Sequence, residues 1–353
     1  MQTKKIFALL ISIIISGSCL FAAVPFGKPA AIVKFNGQTK PISETELNNQ
    51  VNNVVAMYKA QGQAIEASAV KKQVLDSMID NLLLEAGAAR DGVVISDAQV
   101  DQLVLQQKYM IEQQAGRSIT DTEFNQIINQ QVGSLQDYKE YIKSQALINQ
   151  YLLVKKGSSL TQDKAIATES EIQSYYRANK SSLINPECVN IAQIFIPFKD
   201  NSTNNDNEKK LQTLADDLKT NKLKWEDAVK KYNQDVSTTS SDGDIGWLTQ
   251  DDPQKIKTVL GQDYFNIAFD LNPGNISNVI TSAQGYHIIK IKEHIDIKLL
   301  KLEDSISPAD KTTVREYISQ LLSSQKAQTL AANALVELSN DLRNQATISY
   351  LTK

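Results

Sequence analysis

The sequence is poor in the residue types from which most catalytic and metal sites are built. Its 353 residues include only two histidines, two cysteines and two tryptophans, and aromatic side chains make up 7% of the chain. No phosphate-binding glycine loop, zinc-ligand spacing or Ser/His/Asp pattern is present, so no cofactor or metal is expected. The formal net charge of -3 argues against a nucleic-acid partner, which usually needs a basic face.

The two cysteines do not make a disulfide framework. Cys19 lies in the N-terminal segment, which leaves Cys188 without a partner in the rest of the chain. We expect Cys188 to act as a small apolar residue at the start of a strand, rather than as a redox thiol.

The N-terminus has the layout of a secretory signal peptide. Lys4 and Lys5 precede an apolar run at 6–15, and small residues follow. A membrane-spanning helix needs about 20 apolar residues, so the run is too short for that role. We therefore expect residues 1–23 to be a signal peptide and the protein to reside in the periplasm or cell envelope.

Two forms of the mature N-terminus are open. Ordinary cleavage would fall near Ala22 or Ala23. Alternatively, Ser-Gly-Ser at 16–18 followed by Cys19 loosely resembles a lipoprotein cleavage box, with serine where leucine is usual. Cys19 would then carry a lipid that tethers the protein to a membrane.

The segment 24–180 is predicted to be a helical domain without a catalytic constellation. Ser43, Ser96 and Thr120 are each followed three residues later by Glu or Gln, which is the capping box that begins a helix. Apolar residues recur at i, i+3 and i+4 over 67–90, which predicts an amphipathic helix. Predicted helices cover 43–58, 67–90, segments starting at 96 and 120, 135–154 and 168–180.

The segment 186–295 is predicted to be a separate α+β domain. An alternating β-branched run at 189–197 indicates a strand, and the sequence NP at 185–186 marks the boundary before it. The remaining predictions are a polar loop at 200–207, helices at 208–220, 225–232 and 262–269, a turn-rich loop at 237–246 and a closing strand at 286–292.

The tail, 299–353, is predicted to be a helix, with Pro308 and Asp310 near its start, and then a strand at 346–351. An isolated terminal strand is unstable, so we expect it to pair with a strand at 31–35. The α+β domain would then be an insertion in one helical domain that the C-terminal helix and strand complete.

Five short phrases in 189–293 resemble a parvulin domain, also called a PpiC-type rotamase. They are VNIAQIFI (189–196), WEDA (225–228), GDIGW (243–247), AFDLNPG (268–274) and GYHIIK (285–290). Residues 30–155 with the tail 299–353 resemble the chaperone segments of SurA, for example in VLDSMIDNLL (74–83). The chain is thus similar to exported folding factors of the SurA/PrsA type.

The resemblance implies a peptidyl-prolyl cis-trans isomerase that needs no cofactor. In parvulins an apolar proline pocket is flanked by two histidines and an Asp or Cys. His287 matches the second histidine and Asp235 the Asp/Cys position. Gln193 stands where the first histidine is usual, and its amide cannot take up a proton near neutral pH.

The resemblance also implies walls for the substrate pocket. The matching residues are Ile245, Trp247, Leu248, Tyr264, Phe265 and Phe269. Trp247, Tyr264 and Phe265, and His287 on its apolar strand, have an alternative interpretation as core residues.

Two functions follow from the resemblance. The first is isomerisation of prolyl bonds in unfolded outer-membrane or secreted proteins. The second is an ATP-independent holdase, whose helices in 67–155 and 310–340 form a cleft for apolar client segments and whose parvulin-like domain has little activity. Gln193 favours the second function.

Overall fold

The computed structural model describes residues 27–199, 201–251 and 258–352. The expected signal peptide and Cys19 therefore lie outside the described residues. Two compact units are present: Met1–Ala165 with Gln325–Lys353, and Ile166–Ser324. These limits differ from the predicted ones, which assigned 166–180 and 299–324 to the helical domain.

The described chain has a mixed α+β architecture, in which a run of seven helices separates a strand pair from a second region of strands and helices. The helices are α1 (Glu44–Ala60), α2 (Ala67–Arg90), α3 (Asp97–Ala115), α4 (Asp121–Val132), α5 (Leu135–Lys156), α6 (Gln162–Ala165), α7 (Glu169–Asn179), α8 (Asn201–Lys219), α9 (Trp225–Tyr232), α10 (Val236–Thr239), α11 (Gln262–Asp270) and α12 (Val314–Arg343). The strands are β1 (Pro29–Phe35), β2 (Gln38–Ser43), β3 (Ile184–Asn185), β4 (Cys188–Pro197), β5 (Asp244–Thr249), β6 (Ile280–Thr281), β7 (Gly285–Ile295), β8 (Lys298–Leu299), β9 (Ser305–Ser307), β10 (Asp310–Thr313) and β11 (Thr347–Tyr350).

The helices of the first unit begin where their capping residues predict. The Ser96 and Thr120 side chains accept hydrogen bonds from backbone N–H groups three residues on, and Gln99 and Glu123 return the contact. Ser43 caps α1 in the same way, accepting from the N–H of Glu46. These bonds satisfy donors that have no partner inside the helix.

A three-stranded antiparallel sheet joins the two ends of the described chain within the first unit. Strand β1 lies between β11 and β2, and Ala31 is opposite Tyr350. The predicted pairing of the C-terminal strand with 31–35 is confirmed. Strand β2 was not predicted, although Asn36 and Gly37, both with positive φ, form the two-residue turn of a tight hairpin.

Polar contacts bind the end of α12 and strand β11 to α2. Arg343 Nη2 donates to the Asp76 carbonyl oxygen (2.8 Å), Arg343 Nε donates to Asp80, and the Tyr350 hydroxyl donates to Asp76 Oδ1 (2.6 Å). Apolar side chains from the later part of α12 also join the main core of this unit, so residues 325–352 complete the helical domain, whereas 299–324 of the predicted tail lie in the other unit. The side chains contributed by α12 are Ala334, Leu338 and Leu342.

The second unit is built on a four-stranded antiparallel sheet in the order β5-β4-β7-β6. Even-numbered side chains of β4 and β7 pack against α8 and α9, and odd-numbered ones against α11. Cys188, at the start of β4, is fully buried, and burial raises the pKa of its thiol. This agrees with its predicted role as a small core residue.

A third core in the second unit explains its limits. Apolar residues from α7, from the segment after β8 and from the start of α12 pack together, so 166–183 and 300–324 belong with the sheet. The buried members are Ala167, Ile172, Leu300, Leu302, Val314 and Ile318.

Three local predictions for the second unit are wrong. Residues 201–207 are the first turns of α8 rather than a loop, and Asn204 Oδ1 accepts from the Lys199 N–H (2.7 Å) just before it. The loop at 237–246 ends in strand β5, and Pro308 lies in the β9–β10 turn rather than near a helix start.

No helix among the described residues is long and apolar enough to cross a membrane.

Candidate functional site

The candidate site lies on the odd-numbered face of β4 and β7, where an apolar core gives way to polar side chains. Val189 and Ile191 belong to the buried core, and Gln193 and Phe195 follow on the same face because side chains alternate along a strand. His287 on β7 is directly opposite Phe195. The strand pairing thus brings Gln193 and His287 together.

A buried hydrogen-bond network surrounds His287, which is 1% exposed. Its Nδ1 lies 3.1 Å from Gln193 Oε1, and its Nε2 lies 2.8 Å from Ser282 Oγ. The Tyr264 hydroxyl donates to the same Gln193 oxygen at 3.2 Å. Since a carbonyl oxygen only accepts, Nδ1 carries the ring proton and Nε2 accepts from the Ser282 hydroxyl.

Burial keeps the His287 ring neutral. Removal of the ring from water lowers its pKa from 6.5 to about 4, and burial raises the pKa of the Tyr264 hydroxyl. The ring is stacked on Phe195 at 4.8 Å between centroids, and Tyr264 meets it edge-on at 5.2 Å. His287 is therefore an oriented, uncharged imidazole at neutral pH.

A cleft of about 380 Å³ opens above this network. That volume is within the usual range for small-ligand sites, about 300–1,000 Å³. Its lining residues are Gln193, Phe195, Gln234, Asp235, Val236, Ser237, Leu260, Gln284 and His287. We call Gln193, Phe195 and His287 the floor of the cleft, and residues 234–237 its side wall.

The side wall is anchored to β4 through Asn233. Asn233 Oδ1 accepts from the Phe195 N–H at 2.9 Å, and the Gln234 N–H donates to the Phe195 carbonyl oxygen at 2.9 Å. Asp235 caps the short helix α10, because its Oδ1 accepts from the N–H (3.1 Å) and the hydroxyl (2.6 Å) of Ser237. Floor and side wall are thereby held in one arrangement.

Gly243 directly precedes β5, which pairs with β4 on the side opposite β7, and it contacts the backbone of Gln193 in the floor. Its φ is +79°, and its carbonyl oxygen accepts from the Gln193 N–H at 2.8 Å. A Cβ at this position would lie 2.4 Å from the Gln193 carbonyl oxygen, so only glycine fits. The Trp225 indole N–H donates to the Asp242 carbonyl oxygen (2.8 Å) and fixes the preceding residue.

The structure brings the three predicted catalytic positions to one cleft: His287 and Gln193 in the floor and Asp235 in the side wall. The six predicted wall residues are not among the residues that line it. Leu248, Tyr264 and Phe265 are buried in the neighbouring core, where Ile245 and Phe269 pack against them. Trp247 is half-buried on β5, and only Tyr264 reaches the network, through its hydroxyl.

Sequence reasoning missed seven residues of the site: Phe195, Gln234, Val236, Ser237, Leu260 and Gln284 in the cleft lining, and Ser282 in the network below it. Phe195 follows Gln193 by two in a predicted strand, so alternation would have placed it on the same face. Ser282 precedes His287 across a tight turn that no periodicity marks. Among the described residues, no group of three or more His, Cys, Asp or Glu side chains could hold a metal ion.

Two family models match the chain in the regions of its two units. A SurA-like N-terminal domain matches residues 1–152, and a PPIC-type PPIase domain matches residues 194–293. The PPIC-type PPIase domain model thus matches residues 194–293, which carry most of the cleft, and the SurA-like N-terminal domain model matches residues 1–152. Both resemblances read from the sequence are confirmed.

Two curated relatives match along most of the chain. The chain is 26% identical over 311 residues to a protein of Methylobacillus flagellatus named Chaperone SurA, covering 82% of this chain and 63% of that protein. It is 25% identical over 324 residues to Foldase protein PrsA of Clostridium kluyveri, covering 87% of this chain and 85% of that protein. One of two structurally related SurA-like chaperones of Campylobacter jejuni is 13% identical, with a TM-score of 0.36 over 92% of this chain and 100% of that one.

Proposed function

We propose that the protein is an exported folding factor that catalyses cis-trans isomerisation of prolyl bonds in unfolded envelope or secreted proteins. The observation that carries the proposal is the cleft over the buried, neutral His287, lined also by Gln193 and Asp235, in the unit whose residues 194–293 match the PPIC-type PPIase model. The names of the SurA and PrsA relatives support a role in protein folding.

The chemistry that such a site must perform is modest. Resonance across the imide bond sets a rotation barrier of about 18–20 kcal/mol, and no covalent bond has to break. The twisted imide has lost that resonance and much of its charge separation, so a partly apolar cleft binds it better than either planar isomer. In this proposal the proline ring lies on Phe195, above the plane of His287.

Gln193 has a defined part in the proposal. Its side-chain oxygen takes hydrogen bonds from both His287 and Tyr264, and so it fixes the imidazole in one tautomer without a second titratable ring. His287, Gln193 and Asp235 are the proposed catalytic residues. Catalysis by binding needs orientation rather than proton transfer, so an amide can serve in place of a histidine.

Catalysis is tested with the full chain and a short Ala-Pro peptide, by measuring cis-trans exchange with NMR. We expect exchange faster than in the blank, and at least a tenfold loss in Phe195→Ala because the floor loses its apolar ring. Phe198→Ala is the matched control, since Phe198 is 38% exposed and is not among the residues that line the cleft. A wild-type rate equal to the blank would contradict the proposed activity.

Location and partners are part of the same proposal. The sequence pattern at 1–23 supports export, and the family supports unfolded, proline-containing polypeptides as partners. Two forms are open, a freely diffusing one cleaved near Ala22 or Ala23 and one tethered by a lipid on Cys19. The mass of the mature N-terminus distinguishes them.

A holdase activity is the second candidate, favoured by apolar side chains exposed on the first unit. On α3, Leu105, Tyr109 and Met110 are 64%, 59% and 55% exposed. Exposed apolar clusters bind apolar segments of other chains without ATP.

We expect the full chain to suppress aggregation of a chemically unfolded outer-membrane protein, measured by light scattering. Replacing Leu105, Tyr109 and Met110 together by glutamine should weaken that suppression several-fold. The matched control replaces three exposed polar residues of α3, Gln102, Gln106 and Gln113, by serine. Full aggregation at several-fold excess of wild type would exclude the holdase.

A further inference from the structure

The charge on the described lining of the cleft is of negative sign only. Of the described residues that line it, Asp235 carries a carboxylate and none is a lysine or arginine. His287 adds no positive charge at neutral pH, because burial lowers its pKa to about 4. A substrate side chain that enters the cleft therefore meets one negative charge and no compensating cation from the described lining.

One oxygen of that carboxylate is available to a ligand. Asp235 Oδ1 is occupied by two hydrogen bonds from Ser237. Oδ2 accepts from no donor among the described residues, and Asp235 is only partly buried. An unengaged carboxylate oxygen on the wall of a cleft is suited to an ammonium or guanidinium group.

The side chain of Val236, next to Asp235, suits the apolar stem of a long cationic side chain. Val236 lines the cleft and is 87% exposed, so its apolar surface is accessible to a ligand. Lysine and arginine have apolar stems that cover such surface while their charged ends reach a polar partner. Val236 and Asp235 together thus match an aliphatic stem that ends in a positive charge.

We infer that the cleft selects prolyl bonds preceded by lysine or arginine, and discriminates against those preceded by an acidic residue. The inference rests on the proposed isomerase function and names its substrate class. The preceding residue is the one concerned because its carbonyl carbon forms the imide bond. Its Cα is bonded directly to that carbon, whereas the Cα of the residue after proline is separated from the imide nitrogen by the proline backbone.

The test compares four peptides, Ala-Xaa-Pro-Phe with Xaa as Lys, Leu, Ala or Glu, in NMR exchange experiments with the full chain. We expect kcat/KM for the Lys peptide to exceed that for the Glu peptide about three- to tenfold at low salt, from attraction in one case and repulsion in the other. The ratio should shrink at 0.5 M NaCl, because salt screens partly exposed charges.

Asp235→Asn should bring the Lys/Glu ratio close to one, since asparagine can still accept from Ser237 but carries no charge. Asp263→Asn, an exposed carboxylate of α11 outside the cleft lining, is the matched control and should keep the wild-type ratio. A Lys/Glu ratio of one or less, or a ratio unchanged by Asp235→Asn, would overturn the inference.

Failure of the proposed function gives a different result. Exchange at the blank rate with all four peptides would exclude catalysis, and the charge preference is then read from binding. Shifts of the Val236 methyl signals on titration should saturate at lower concentration with the Lys peptide than with the Glu peptide. Equal saturation would overturn the inference on its own.

Discussion

Replacing Gly243 by alanine is expected to destabilise the second unit by about 2–5 kcal/mol. Its φ of +79° costs an L-residue about 1–2 kcal/mol, and the added Cβ would lie 2.4 Å from the Gln193 carbonyl oxygen. Forced overlap in a packed interior typically adds about 1–3 kcal/mol. The backbone of β4 must move to relieve it, so Gln193 would leave its position beside His287.

Gly246 supplies the matched control three residues away. Its φ is +83°, but a Cβ there would meet nothing within 4 Å. Gly246→Ala should therefore cost only the conformational part, about 1–2 kcal/mol. Urea unfolding followed by tryptophan fluorescence measures both, because Trp225 and Trp247 lie in the second unit. Equal losses for the two variants would show that contact between Gly243 and Gln193 does not constrain the strand.

Sequence reasoning succeeded where structure is set by neighbouring residues. A capping serine or threonine and the residue three positions on are local, so α3 and α4 began at the predicted residues. The regular apolar spacing over 67–90 gave the bounds of α2, which match. Pairing of β11 with β1 was reached by a different argument, since a lone terminal strand needs a partner.

Sequence reasoning failed where packing between distant parts of the chain determines the local structure. The polar run at 201–207 has the composition of a loop, yet it forms the start of α8, whose later residues Leu211 and Leu214 are buried against the sheet. Strand β5 was hidden because Gly243 and Gly246 indicate turns, while pairing with β4 extends the backbone between and after them.

The candidate site shows the same division. Gln193 and His287 were identified because each lies in a phrase that resembles the family, and Asp235 because it lies upstream of GDIGW (243–247); all three line the cleft. The wall residues were carried over one at a time without a register for the sheet, and five of the six are packed in the adjacent core. Only the fold shows that residues 234–237 form the side wall.

Acid should destabilise the second unit through His287 before its carboxyl groups matter. The ring has a pKa of about 4 in the folded protein and 6.5 when exposed. Above pH 6.5 both states are neutral and the histidine contributes no pH dependence. Between pH 6.5 and 4 the unfolded chain binds a proton that the folded one does not, so stability falls as the pH falls.

The expected loss is about 3 kcal/mol across that window, at about 1.4 kcal/mol for each pH unit of separation between the two states. Carboxyl groups ordinarily titrate near pH 4, so most of their effect lies below it. Urea midpoints from tryptophan fluorescence at pH 7.5, 6.0, 5.0 and 4.5 measure the slope.

His287→Gln should remove that slope, because an amide does not titrate, whereas His294→Gln removes the other histidine and should retain it. A slope that persists in His287→Gln would mean that another group titrates in this window. A wild-type stability independent of pH between 7 and 4.5 would mean that His287 accepts a proton in place. An imidazole that stays neutral down to about pH 4 takes part in the network only as a fixed hydrogen-bond donor and acceptor. The amide of Gln193 can fill the same role, because that role needs no change of protonation.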